Sequence, residues 1–184
     1  AFVKTKDELD IPNIQFHYAP AMIVDHGRSL LWGTGMSCHS CLLRPKSRGE
    51  VTLASSDPFA DPLIDPKFLS HPDDMKDMVD GYKIMMKVLG AEPFSKYISE
   101  HTQRPIDIND DADIEQAMRE GADTVYHPVG TCKMGNDAMS VVDNRLKVHS
   151  MRGLRVVDAS IMPTLVGGNT NAPTIMIGEK ASDM

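Results

Sequence analysis

Cysteine is scarce: the 184 residues hold three, Cys38, Cys41 and Cys132. So small and odd a number supplies no disulfide framework and favours a reducing compartment. Aromatic residues make up 5% of the chain, with a single Trp, Trp32. An aromatic cage for a quaternary ammonium ion therefore has little to draw on here. Basic residues are in deficit, 19 Lys and Arg against 26 Asp and Glu, for a net charge of -7. That excludes the basic surface that phosphate neutralisation needs, and with it nucleic acid as a partner. No apolar run approaches the ~18 residues of a membrane-spanning helix. The opening Ala1-Phe-Val-Lys-Thr-Lys-Asp lacks the charged-then-apolar plan of a signal peptide. A cytoplasmic location is expected, with peripheral association at the inner face of the membrane left open.

What is present describes a folded soluble domain. Apolar residues at 41% and charged residues at 24% argue against disorder, and the length suffices for one sizeable core. The chain starts without Met and ends at Met184 inside a helical pattern, so it reads as part of something longer. Ile14 to Ala19 alternates as a strand. Met36 to Leu43 and Glu50 to Ser55 read as two more, joined by the turn-rich Arg44-Pro-Lys-Ser-Arg-Gly49 as a hairpin. Asp57-Pro, Asp61-Pro and Asp65-Pro read as turns and extended loop. A helix is expected from Pro72 to Leu89, capped by Ser70 and closed by Gly90 in the left-handed conformation. Met75, Met78, Val79, Tyr82, Met85, Met86 and Leu89 fall on one face at the helical period and read as core. A second helix is expected over Asp111 to Glu120. Val141 to Asp143 and Val148 give short extended pieces. Leu154 to Asp158 reads as a short buried strand, and a last helix begins at Ala172 or Pro173 and runs to Ser182. The pattern predicts an α+β domain with an antiparallel sheet and flanking helices, ending in a strand-turn-helix.

Two stretches carry the chemistry. In Thr124-Val-Tyr-His-Pro-Val-Gly-Thr-Cys-Lys-Met-Gly135, Pro128 holds His127 extended, and Gly130 and Gly135 punctuate the run. A His on a rigid non-helical segment can present its ring to a pocket, and an imidazole suits proton abstraction near neutral pH. In Gly167-Gly-Asn-Thr-Asn171, Asn169 and Asn171 flank Thr170 just before a helix. Either amide serves as a helix cap or points into a pocket as a donor. The backbone N–H groups of that helix start can stabilise a developing anion, such as a reduced flavin ring. Cys38 and Cys41 form a lone C-x-x-C without a second pair, and positions 38 and 41 of a strand face opposite sides. No metal site is expected. His17 and His39 lie on strands and can line a pocket; His26, His71, His101 and His149 read as surface or packing residues.

Together these residues resemble the C-terminal portion of the glucose-methanol-choline (GMC) oxidoreductases, FAD-dependent alcohol dehydrogenases and oxidases. The matching stretches are Arg44 to Pro58, Tyr126 to Gly135, Leu154 to Ser160 and Gly167 to Glu179, in family order, and they look most like the choline dehydrogenase and long-chain alcohol dehydrogenase branch. The resemblance implies that His127 accepts the substrate hydroxyl proton while hydride passes from carbon to flavin N5. It implies that Asn169 is the second active-site group. Asp158, Ala159, Asn171 and Thr174 fall where the chain returns to contact FAD. Residues 1–150 would be the substrate-binding domain, and residues 151–184 would pack on an FAD-binding domain. The G-x-G-x-x-G fingerprint of that domain is missing from the chain, so the chain alone is expected neither to hold FAD tightly nor to turn over. The implied substrate is a primary alcohol, choline or aliphatic. A non-catalytic binding or interaction module on the same fold is the rival reading.

Overall fold

The computed structural model describes residues 1–99 and 105–184. In chain order the elements are β1 (Phe2–Val3), β2 (Ile14–Ala19), β3 (Ile23–Val24), β4 (Ser29–Leu30), β5 (Ser37–Leu42), β6 (Glu50–Thr52), β7 (Leu63–Asp65), α1 (Pro72–Leu89), α2 (Glu92–Ser95), α3 (Asp111–Gly121) and α4 (Asn171–Ser182). Sheet order is β1-β2-β5, with β3-β4 and β6-β7 as separate pairs, and every strand pair is antiparallel. The α+β class expected from the sequence holds. His101 lies outside the described residues, as does the side chain of His26. No helix among the described residues is long and apolar enough to cross a membrane.

Packing divides the chain into two units, Ala1–Ser47 with Phe68–Asp123, and Arg48–Lys67 with Thr124–Met184. In the first, α1 lies along β2 and β5. Its Met75, Val79 and Met85 are buried. Met75 and Val79 pack with Ile114 and Met118 of α3, and Met85 packs with Ile14 and Phe16 of β2. The Met stripe is core, as its helical spacing predicts. The close approach of helix and sheet depends on Gly81, where a Cβ would sit 3.0 Å from the buried Ile14. In the second unit, Val142, Leu146, Ile161, Met162 and Ile177 form the core under short turns and α4.

Four local expectations are corrected. The hairpin across 44–49 does not form: β5 pairs with β2 from Ile14↔Leu42 to Ala19↔Ser37, and β6 pairs with β7 at Glu50↔Asp65. The cause is Asp74 in the first turn of α1. Its carboxylate accepts from Lys46 N at 2.8 Å, Ser47 N at 2.7 Å and Ser47 Oγ at 2.6 Å. These bonds turn the connection onto the helix start instead of back along β5. The Asp-Pro segment in turn contains β7, bracketed by Pro62 and Pro66. Second, the cap of α1 is His71, whose Nδ1 accepts from Asp73 N at 3.2 Å, not Ser70. Third, Gly90 ends α1 in the right-handed region at φ -79°, so its N–H simply completes the last turn to Met86 O. Fourth, Leu154 to Asp158 forms no strand. It pairs at one bridge, Lys147↔Arg155, and Leu154 and Val157 are exposed at 45% and 41%. Helix α3 runs one residue past its expected end, to Gly121, and α4 opens at Asn171, ahead of the expected Ala172 or Pro173.

Asp74 is 3% exposed. Burial works to raise its carboxyl pKa, but the hydrogen bonds from Lys46 and Ser47 outweigh it and hold the group below the usual carboxylate range. A depressed folded-state pKa stabilises the fold above the unfolded value, and that contribution is lost as pH falls through the folded one. Asp74→Ala strands buried donors and should cost ~2–3 kcal/mol in denaturant unfolding. Asp74→Asn, which does not titrate, should show a flatter loss of stability below about pH 4 than the parent.

Candidate active site

The loop from Thr124 to Gly135 is held from three sides within its unit. Thr124 Oγ1 accepts from Tyr126 N at 2.9 Å. Cys132 N donates to Ser160 O at 3.0 Å and Met134 N to Ile161 O at 2.8 Å, which ties the loop to a single 3-10 turn, Ala159–Ile161. Past the loop, Asp137 accepts from Lys133 Nζ, Ser140 Oγ and Met139 N. The Lys133 ammonium and these donors hold its carboxyl well below the ordinary carboxylate range. At Tyr126 the backbone sits at φ 64°. A bulky side chain is rarely found in that left-handed region, and it persists only where the surrounding structure holds the residue and its neighbour in place. The neighbour is His127.

His127 is half-buried, and its two ring nitrogens meet the segment just before α4. Nε2 lies 2.8 Å from Asn169 Nδ2. Nδ1 lies 2.9 Å from Thr170 Oγ1, with Thr170 N farther off at 3.4 Å. Asn169 is exposed, whereas Thr170 is 8% exposed. One ring nitrogen thus meets a buried side chain and the other an exposed one. His127 and Asn169, singled out separately in the sequence, are brought into direct contact.

The other four residues take two positions. Asp158 caps the 3-10 turn through Ser160 N at 2.8 Å, and Ala159 packs on the core of its unit. Thr174, in the first turn of α4, donates its hydroxyl to Thr170 O at 2.7 Å. Asn171 opens the helix with its side chain exposed. Thr170 is the N-cap of α4, yet its hydroxyl makes no cap bond to the helix. In the sequence Thr170 is marked only by its place between two asparagines ahead of a helix. Elsewhere, His17 and His39 face each other across β2 and β5 and line an open cleft of about 270 Å³ with Tyr18, Ala19 and Ile23. Cys41 Sγ lies 3.4 Å from His17 Nε2 on that face, while Cys38 packs towards α1 on the other.

The GMC oxidoreductase family model matches residues 45–178, a span that holds His127, Asn169 and every turn between them. This chain belongs to the GMC oxidoreductase family. An alcohol dehydrogenase (acceptor) of Pseudomonas putida is 49% identical over 100% of this GMC chain. An oxygen-dependent choline dehydrogenase of Klebsiella pneumoniae is 42% identical over 99%. The chain spans 33% of the length of each of these relatives. Among solved structures, pyridoxine 4-oxidase from Mesorbium loti superposes with a TM-score of 0.87 at 26% identity, over 100% of this chain and 36% of its own. A variant of Aspergillus oryzae formate oxidase, studied for FAD modification, superposes at 0.88 with 28% identity, over 95% of this chain and 31% of its own.

The family loop depends on Gly135, at φ 155°, where a Cβ would lie 2.5 Å from Ser140 Oγ. That hydroxyl is already held by Asp137 at 2.8 Å. Gly135→Ala should cost ~1–3 kcal/mol, seen as a lowered midpoint in denaturant unfolding.

Proposed function

We propose that the protein containing this chain oxidises a primary alcohol, aliphatic or choline, to the aldehyde with FAD as cofactor. His127 is its proton acceptor and Asn169 its second catalytic group. The observation that carries this reading is the surface-turned contact of His127 Nε2 with Asn169 at 2.8 Å. A base must stand within ~2.6–3.2 Å of the proton it takes. An amide and an imidazole that already touch share one small space, so a single hydroxyl oxygen can reach both. His127 removes the hydroxyl proton. Asn169 donates a hydrogen bond to the alcohol oxygen and so fixes the direction of its carbon–hydrogen bond. The relatives support this chemistry by name, as an alcohol dehydrogenase and a choline dehydrogenase.

The residues present fit a flavin. The first-turn N–H groups of α4 are not capped by the Thr170 hydroxyl, so they remain available to an electron-rich ring. Asp158 and Asn171 are exposed beside that turn of sequence, and with Ala159 and Thr174 they would hold the cofactor. Held there, FAD would supply the acceptor for the hydride that leaves the substrate carbon. Leu154, Val157, Ile175 and Met176 are exposed at 45%, 41%, 59% and 57%. Apolar side chains left bare along this tail are what a segment packed on a further domain would show. We therefore assign residues 151–184 to contact with an FAD-binding domain and residues 1–150 mainly to the substrate side.

In the full-length protein, His127→Ala should slow flavin reduction by alcohol ~10²–10⁴-fold with FAD still bound. Rapid mixing without oxygen measures this, and an unchanged rate would remove His127 from the reaction. The chain expressed alone should keep no flavin absorbance after desalting; a retained spectrum would contradict the division of labour between the two parts.

A further inference from the structure

We infer that Thr170 is a positioning residue that sets which nitrogen of His127 carries the proton, so that Nε2 keeps a lone pair for the substrate. The inference rests on the reading of His127 as the base and adds the device that makes it one.

A Thr at a helix N-cap ordinarily turns its hydroxyl onto its own helix, a bond worth ~1 kcal/mol. Thr170 forgoes that bond. Its Oγ1 lies instead 2.9 Å from His127 Nδ1, across forty-three residues of sequence. At 8% exposed, the hydroxyl has little water to turn to. Its chain position is fixed from behind, because Thr170 O accepts from both Thr174 N at 3.0 Å and Thr174 Oγ1 at 2.7 Å. A side chain diverted from its local role and locked by its own backbone is built to hold the ring.

The hydroxyl matters because a neutral imidazole has one donor and one acceptor nitrogen, and the partner of one decides the role of the other. When Thr170 Oγ1 accepts from Nδ1–H, Nε2 is the acceptor, and Asn169 Nδ2 at 2.8 Å donates to it until a substrate hydroxyl takes its place. When Nε2 takes the substrate proton, the ring carries two N–H groups, and Nδ1–H still has Oγ1 to bond. The backbone N–H of Thr170, also aimed at Nδ1 but 3.4 Å away, favours the opposite tautomer. With the hydroxyl gone, that N–H is left in control and Nε2 becomes a donor, unable to accept a proton.

The test uses the full-length enzyme with FAD bound. In the parent, the ring ¹⁵N resonances of His127 should report the neutral Nδ1–H tautomer; Nε2–H overturns the proposal. Thr170→Val keeps shape and removes the hydroxyl. It should slow flavin reduction by about 10- to 100-fold, the worth of a hydrogen bond to a charged group, with the substrate concentration at half-saturation little changed. Thr170→Ser should restore both rate and tautomer. A Val variant as fast as the parent, or a Ser variant as slow as Val, overturns the proposal. If Thr170→Val does not fold, the parent tautomer and the rate of Thr170→Ser decide it. These failures differ from failure of the base reading, in which His127→Ala itself reduces flavin at the parent rate and the proposal falls with it.

Discussion

The hydrogen bond between His127 Nδ1 and Thr170 Oγ1, 2.9 Å long, joins the loop of residues 124–135 to the start of α4. The candidate site depends on it. Without it only the longer contact from Thr170 N, at 3.4 Å, holds Nδ1. The fold supports the bond at both ends. On one side the backbone of Tyr126 is held at φ 64° and the loop is stitched to the 3-10 turn of Ala159–Ile161. On the other, Ile177 anchors α4 in the same core as Ile161 and Met162. Groups that must keep a proton-transfer geometry are held best by locked rotamers and packed backbone.

The same core lets irregular turns take the place of a sheet across residues 124–170. Val142, Leu146 and Ile161 are at most 5% exposed. The backbone around them pairs through single bridges, such as Met134↔Val142 and Val142↔Val148, rather than through ladders. Burial of apolar side chains and scattered backbone bonds hold this part of the molecule together, and polar side chains such as Asp137 and Asp158 close its turns.

Much of this was legible in the sequence, and what was not has a physical cause. Helix α1 announced itself through its Met periodicity, because one apolar stripe packs on a helix and a sheet at once. The hairpin expected across Arg44 to Gly49 does not form because the acceptor that bends this connection, Asp74, lies some twenty-seven residues away; local turn chemistry carries no trace of it. Leu154 to Asp158 has strand-like composition but pairs only at Arg155, and composition does not count neighbours. His127 and Asn169 stood out as residue types, yet their meeting came from resemblance, not from spacing. Thr170 was hidden by its ordinariness, since a Thr before a helix reads as a cap.

The central claim is that His127 and Asn169 share one alcohol oxygen above the cofactor. A crystal structure of the full-length protein with FAD and an unreactive substrate analogue tests it most directly. The account predicts the analogue's hydroxyl or its equivalent within ~2.6–3.2 Å of His127 Nε2 and in hydrogen-bond contact with Asn169. An analogue bound next to the flavin with its oxygen held by other groups, and His127 still closed on Asn169, would contradict it.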